Sequence, residues 1–314
     1  MVKAKKRITT KITKAVVAVA GSGTRFLPAT KTMPKEMLPI VDKPIIQIVV
    51  EELVEAGITD IILVTRADKK ILEDHFDRNL VLEEELTRNG KAKQCEEIRR
   101  VSEMANFIYV RQKGPYGNGT PVLCSANIVK DEPFVYVWAD DLVKSKRSFT
   151  KSMIEGYYEH GHLMIGVQKV PRRMVNRYGI VKLHPGSMRI EDIIEKPSLK
   201  EAPSELADFG RMILNREIID ILTMTPLGKG NELWIVDAIR EYVRRGGVFL
   251  AKEVEDGEWL TTGDPLNYLK AVLQYAMERD DIGGELVDFV ANLRGGGLGR
   301  ERANTRAVGR RLKK

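Results

Sequence analysis

The side chains best suited to chemistry in this 314-residue chain begin close to its N-terminus. Gly21-Ser22-Gly23-Thr24-Arg25 follows the short apolar run Ala15 to Ala20, and Lys35 comes ten residues later. Closely spaced glycines let backbone N–H groups approach phosphate oxygens without interference from a Cβ. Arg25 adds a planar fork of donors suited to the same oxygens, and Lys35 adds a compact positive charge. The string is not a P-loop, which requires G-x-x-x-x-G-K-[ST]. Nor is it a dinucleotide fingerprint, because Phe26 stands where the third glycine belongs. Taken alone, G-x-G-T-R serves equally well as a structural turn.

Further candidates follow at wide spacing. Asp140-Asp141 ends an apolar run and could hold a divalent cation or cap a turn. Glu195-Lys196-Pro197 could contact a sugar phosphate or simply end a solvated strand. Gln112 carries an amide that both donates and accepts, as a nucleobase edge demands, yet alone it carries no signal. Nothing resembles a Ser or Cys nucleophile triad, and His160-x-His162 reads as a solvated turn rather than a metal site.

The elements that must position these residues alternate. Ala15–Ala20 reads as a buried strand. Pro44 sits where a first helical position is expected, before an apolar face of Ile45, Ile46, Val49, Val50, Leu53 and Val54, with Gly57 as the stop. Strands at 60–65, 107–110 and 134–138 alternate with helices at 69–76 and 122–129, and a charged helical excursion covers 80–104. This β-α-β-α-β order implies a mostly parallel, Rossmann-like twisted sheet with helices on both faces. Ligands of such sheets bind beyond the carboxyl ends of the strands, where the Gly-rich loop, Gln112 and Asp140 can all converge. Beyond residue 151 the pattern continues with strands at 163–170, 178–184, 189–195 and 209–214, then helices near 215–223 and 232–245. A strand at 248–254 and a helix at 265–278 follow. The expected organisation is a basic extension at 1–13, a catalytic domain at 14–280, and a Gly/Arg-rich disordered tail at 281–314.

Bulk properties exclude several classes. The net charge of +7 is confined to the ends, since residues 1–14 and 294–314 together carry +13 and the body between them −6. A basic body would suggest nucleic acid, but neither end holds an aromatic residue to stack on bases, so no nucleic-acid partner is expected. Two cysteines, Cys95 and Cys124, suggest no disulfide framework and no thiolate zinc site. No apolar run reaches the ~18 residues of a membrane span, so no membrane partner is expected and the expected location is the cytoplasm.

The string A-G-S-G-T-R-F-L-P-A-T-K-T-M-P-K-E-M-L-P-I-V-D-K-P at 20–44 resembles the bacterial UTP–glucose-1-phosphate uridylyltransferases, and the likeness runs through residues 14–280. V-R-Q-K-G-P-Y-G-N-G at 110–119 is similar to the family's nucleotide-base loop, and A-D-D-L at 139–142 to its metal-aspartate turn. R-Y-G-I-V at 177–181 and I-I-E-K-P at 193–197 resemble its sugar-binding segments. N-E-L-W-I-V-D-A-I at 231–239 and T-G-D-P-L-N-Y-L-K-A at 262–271 resemble later landmarks.

The resemblance implies UTP and glucose 1-phosphate as substrates, Mg²⁺ as cofactor, and a homodimer or homotetramer. It implies that Gly21, Gly23 and Arg25 hold the triphosphate, that Ala20 also binds the nucleotide, and that Lys35 offsets charge at the transferred phosphate or pyrophosphate. Glu36, Gln112 and Gly117 would form the uracil site, and Asp140 would hold Mg²⁺. Gly179 and Glu195 would contact sugar hydroxyls, and Lys196 the sugar phosphate. Three departures stand out. Thr261 replaces a common Asp that helps hold the metal, Thr120-Pro121 replaces His-Ala after the base loop, and Ala139 replaces a Gly before the aspartates. The same chemistry with dTTP, and a non-catalytic nucleotide-sugar-binding paralogue prompted by Thr261, are the alternatives.

Overall fold

A computed structural model describes residues 10–295. Its frame is a nine-stranded sheet. The parallel part uses β1 (Lys14–Ala18), β4 (Asp60–Thr65), β5 (Asn106–Arg111) and β6 (Phe134–Trp138), in the spatial order β5-β4-β1-β6. The antiparallel part is built on β11 (Leu206–Leu214), which pairs with β6, with β8 (Leu163–Lys169) and with β9 (Gly179–Leu183). Strand β10 (Ile190–Glu195) extends the sheet beyond β9, and β12 (Phe249–Glu253) runs parallel to β8. The expected α/β sheet is thus present, with its second half turned antiparallel around β11. Two small ribbons lie outside it. One pairs β2 (Pro39–Ile40) with β3 (Lys43–Pro44), and the other pairs β7 (Asp141–Ser145) with β13 (Gly257–Thr261).

Because side chains alternate along a strand, each buried strand feeds two cores. Ala15, Val17, Ile61, Leu63, Val135 and Val137 pack on one face, against α1 (Ile45–Glu55) and α6 (Phe149–His160). Val16, Ile62, Val64, Phe134 and Tyr136 pack on the other, with α5 (Thr120–Val129), α7 (Arg216–Met224) and α8 (Ile235–Arg244). Helix α2 (Lys70–Phe76) follows β4, and α3 (Leu80–Arg88) with α4 (Ala92–Glu103) forms the charged excursion. That excursion is pinned by the buried carboxylate of Glu83, which accepts from Arg78 and, at 2.7 Å, from Arg99.

Several boundaries differ from the sequence reading. Pro44 is the residue before α1 rather than its first helical position, at φ −60° and ψ 147°. Gly57, at φ +90°, closes that helix as expected of a left-handed C-terminal position. Helix α8 starts three residues later than 232, because Leu233 is held extended by bonds to Tyr116 O and Gly119 N. Ordered structure also continues past the expected edges at 13 and 280 on either side. Ile12 is buried in the core, and Thr13 O accepts from the amides of Thr59 and Asp60. Helix α10 (Gly283–Gly295) follows α9 (Pro265–Met277), entered through a close contact in which a Cβ on Gly283 would stand 2.5 Å from Met277 O. The rest of the expected tail, from 296, lies outside the described residues, as do residues 1–9. Cys95 and Cys124 are unpaired. Among the described residues, no helix is long and apolar enough to cross a membrane.

Candidate active site

Strands β1, β4, β5 and β6 all end at one edge of the sheet, and the loops that follow them build the site. The chain after β1 turns through short 3₁₀ segments at Thr24–Phe26, Ala29–Lys31 and Lys35–Met37, which fold the Gly-rich loop back onto Lys35. A Cβ on Gly21 would stand 3.4 Å from Lys35 Cε and 3.6 Å from its Nζ, so backbone and ammonium share one wall. Gly23 adopts φ +64°, and Thr30 Oγ1 donates to its carbonyl at 2.7 Å. A groove of about 180 Å³ runs along Gly21 to Phe26, Lys35, Tyr116 and Gly263.

Lys35 Nζ meets Asp140 Oδ2 at 2.5 Å and joins this loop to the end of β6. Burial opposes the lysine charge, but Asp140 and then Glu36 outweigh it and raise the pKa above the ordinary lysine value. Burial likewise opposes ionisation of Asp140, yet the Lys35 charge and hydrogen bond leave its pKa below the ordinary value. Both groups are therefore charged at neutral pH. The adjacent carboxylate behaves differently. Asp141 turns inward, accepting from Trp259 Nε1 at 2.7 Å and Gly210 N at 3.3 Å, and burial beside Asp140 pushes it up to about 6.

The β7–β13 ribbon, absent from the sequence reading, fixes Asp140. Thr261 lies opposite Asp141, and the amide and hydroxyl of Thr262 donate to Asp140 O at 2.7 and 2.9 Å. A Cβ on Gly263 would lie 3.1 Å from Asp140 Oδ2 and 3.5 Å from both Arg25 Nη1 and Thr261 Oγ1. Thr261 thus stands at the corner that Asp140, Arg25 and Gly263 share. Arg25 donates to Gly263 O at 3.1 Å, tying the Gly-rich loop to this corner. Ala139 is buried and has no positive φ, so its methyl needs no special backbone.

A cavity of about 230 Å³ opens beside the ion pair, lined among others by Ala20, Gly21, Glu36, Gln112, Gly117 and Asp140. Gln112 is placed by its amide bond to Thr65 O, which extends the β4–β5 pairing. Gly117, at φ +129°, tolerates no side chain, since a Cβ would come within 2.3 Å of Leu233 O. The loop is locked to that segment by Leu233 N bonding Tyr116 O and by Asn118 Oδ1 accepting from Ile235 N. Thr120 begins α5 and bonds Pro115 O at 2.6 Å, while Pro121 lines the cavity. Trp138 and Trp234 also line it, whereas Trp259 packs in the core.

Sequence reasoning missed one cavity residue's partner. Glu36 is 1% exposed, and Lys69 holds both its oxygens, at 3.0 and 2.8 Å, while itself only 4% exposed. Burial lowers the Lys69 pKa despite the attraction of Glu36. Nothing in Asp68-Lys69-Lys70 distinguishes this lysine from a solvated one; only the fold turns it inward.

The sugar-binding candidates lie at the same edge, because β11 runs antiparallel to β6 with Arg211 opposite Val137. Glu195 pairs across strands with Gly179. Burial pushes Glu195 up to about 7 against the pull of Lys196, with Asp237 and Glu232 adding to the rise. Lys196 Nζ lies 3.4 Å from Glu195 and 3.8 Å from the Trp234 ring centroid. It is grouped with Glu195 and Lys229 around a separate cavity, not with Lys35 and Asp140.

The nucleotidyl transferase family model matches residues 14–278. A UTP–glucose-1-phosphate uridylyltransferase of Bacillus subtilis is 40% identical over 90% of this chain and 96% of its own length. One of Staphylococcus saprophyticus is 42% identical over 90% and 99%. The chain belongs to the nucleotidyl transferase family, in its UTP–glucose-1-phosphate uridylyltransferase branch. Solved members of that branch superpose closely. A UTP-bound UDP-glucose pyrophosphorylase from Acinetobacter baumannii gives a TM-score of 0.82 at 39% identity, covering 90% of this chain and 99% of that one. A UDP-glucose pyrophosphorylase complexed with UDP-glucose gives 0.77 at 38% identity, covering 85% and 100%. The chain is thus an α/β nucleotidyltransferase, as its motifs implied.

Proposed function

We propose that this enzyme transfers the uridylyl group of UTP to glucose 1-phosphate, releasing pyrophosphate and forming UDP-glucose. The observation that carries the reading is the Lys35–Asp140 ion pair, which joins the Gly-rich loop to the acidic strand end at the mouth of the cavity. An oxygen of the sugar phosphate attacks the α-phosphorus of UTP, and the bond to pyrophosphate breaks in the same displacement. No enzyme nucleophile is required; the protein aligns two anions and stabilises the departing charge. Gly21, Gly23 and Arg25 hold the β- and γ-phosphates, and Lys35 neutralises charge at the transferred group. Glu36, Gln112 and Gly117 surround the uracil, with Ala20 beside them. Gly179 and Glu195 take sugar hydroxyls, and Lys196 leaves Trp234 to meet the sugar phosphate.

The residues present fit Mg²⁺. Among the described residues no group of three or more His, Cys, Asp or Glu side chains could hold a metal, but Mg²⁺ needs only one or two carboxylates and keeps waters and phosphate oxygens. Asp140 would hold it, with the Thr261 hydroxyl nearby. When bound, Mg²⁺ supplies charge neutralisation at the phosphates.

Pyrophosphate release from purified protein given Mg²⁺, glucose 1-phosphate and each nucleotide in turn tests the reading. UTP alone should support it. Equal release with dTTP would favour the thymidylyl alternative, and silence with every nucleotide despite UDP-glucose binding would favour the non-catalytic one. Lys196→Ala is expected to raise KM for glucose 1-phosphate roughly 10- to 100-fold, the loss of one charge-assisted contact. KM for UTP should stay within about twofold, and an unchanged sugar-phosphate KM in initial-rate assays would remove Lys196 from the site.

A homo-oligomer also belongs to this proposal, in a cytoplasmic enzyme. Leu266, Leu269 and Leu273 of α9 and Val287, Phe289 and Leu293 of α10 are exposed, an apolar surface of the kind that marks association. Sedimentation equilibrium should return a multiple of 35.4 kDa, and a monomer at micromolar concentration would overturn the expectation.

A further inference from the structure

One buried carboxyl in the sugar region has no part in the scheme above. Leu206 and Ala207 of β11 pair with Val181 and Ile180 of β9, which brings Asp208 opposite Gly179. Glu195 of β10 lies opposite Gly179 from the other side. Three neighbouring strands thus carry Glu195, Gly179 and Asp208 in one row, and directly opposed residues share a face of the sheet. The middle position has no side chain. A Cβ there would stand 2.6 Å from Asp208 Oδ1, so the Asp208 carboxyl leans over the glycine.

Asp208 is 0% exposed, and neither of its oxygens receives a hydrogen bond of acceptable geometry, although the Gly179 N–H helps offset its charge. Glu195 Oε2 is equally bare. Among the described residues six buried side-chain N or O atoms lack a hydrogen-bond partner, and three of them belong to this one pair. A buried carboxyl left unsatisfied is costly to the fold, and such groups persist where a ligand supplies the missing partners. Among the described residues no cation forms an ion pair with Asp208; Lys196, whose charge it feels, is drawn to Glu195 and Trp234.

We infer that Asp208 is a specificity-determining residue for the sugar, pairing with Glu195 across Gly179 to read hydroxyls of a hexose 1-phosphate. The inference rests on the proposed function for the identity of that ligand. A hydroxyl that both donates and accepts satisfies Asp208 in either protonation state, whereas a sugar lacking it leaves the carboxyl bare. A site built to bond a hydroxyl therefore rejects the deoxy analogue far more strongly than an apolar pocket does.

The test uses the full chain with Asp208→Val and the isosteric Asp208→Asn. Removing an unsatisfied buried carboxyl should leave the melting temperature of Asp208→Val unchanged or raised. Its Kd for UDP-glucose in calorimetry should weaken by about tenfold or more, with UTP affinity within about twofold. Wild type should discriminate against at least one monodeoxyglucose 1-phosphate, and Asp208→Val should lose that discrimination. UDP-glucose affinity within about twofold of wild type, in a folded Asp208→Val, overturns the inference. If that variant does not fold, Asp208→Asn decides, because its discrimination among deoxy analogues must shift and an unchanged pattern overturns the inference. Absence of turnover with every hexose 1-phosphate would defeat the proposed function, while the UDP-glucose calorimetry would still decide the role of Asp208.

Discussion

Asp140→Ala is expected to lower kcat by roughly a thousandfold at saturating Mg²⁺, the scale of losing a preorganised electrostatic stabiliser. Asp140 is the metal-binding carboxylate of the proposed site and the partner that fixes Lys35. Its removal leaves the lysine without its nearest counter-charge and the cation without its carboxylate. The fold should survive, because Thr262 bonds the backbone carbonyl of residue 140 rather than the side chain. Titrating Mg²⁺ against turnover checks the assignment, and near-normal rates would sink it. Thr261→Asp is the informative companion. A second carboxylate beside Asp140 should lower the Mg²⁺ concentration for half activity by roughly tenfold, since ligand charge sets cation affinity. An unaltered Mg²⁺ curve would show that Thr261 lies outside the metal's reach.

Lys69→Met is expected to cost about 3–5 kcal/mol of stability, the usual consequence of leaving a buried ion without its partner. In a chain of this size that is a fall in melting temperature of roughly 5–8 °C. Glu36 loses both its hydrogen bonds and keeps only the attraction of Lys35 in the wall of the proposed nucleotide cavity. UTP affinity should fall with it. The double variant Glu36→Gln, Lys69→Met separates the two effects. It should regain most of the stability, because no uncompensated charge remains, while UTP binding stays weak. Additive losses in the thermal melts would mean that the two residues are not energetically linked.

The sequence by itself determined a great deal here. Apolar runs flanked by helical periodicity set the parallel half of the sheet, because burial on both faces leaves few other readings for V-V-A-V-A or D-I-I-L-V-T. Ordered motifs from Gly21 to Glu195 set the family. The turn at Gly21 and Gly23 was legible for the same reason: its conformation depends on adjacent peptide groups, as the φ of +64° at Gly23 shows.

Only the tertiary structure decided which polar groups meet across long separations. Lys69 was invisible because a lysine in a charged run becomes an ion-pair partner only when β4 delivers it to a glutamate 33 positions earlier. The β7–β13 ribbon was missed because its pairing spans more than a hundred residues, and with it the reason Asp140 faces the site while Asp141 turns to Trp259. Asp208 lies one residue before the strand expected at 209–214, and its register opposite Gly179 depends on how β11 joins three neighbours at once. Local sequence fixes backbone conformation and burial pattern, whereas the pairing of charges is settled by strand order, which no short window of residues contains.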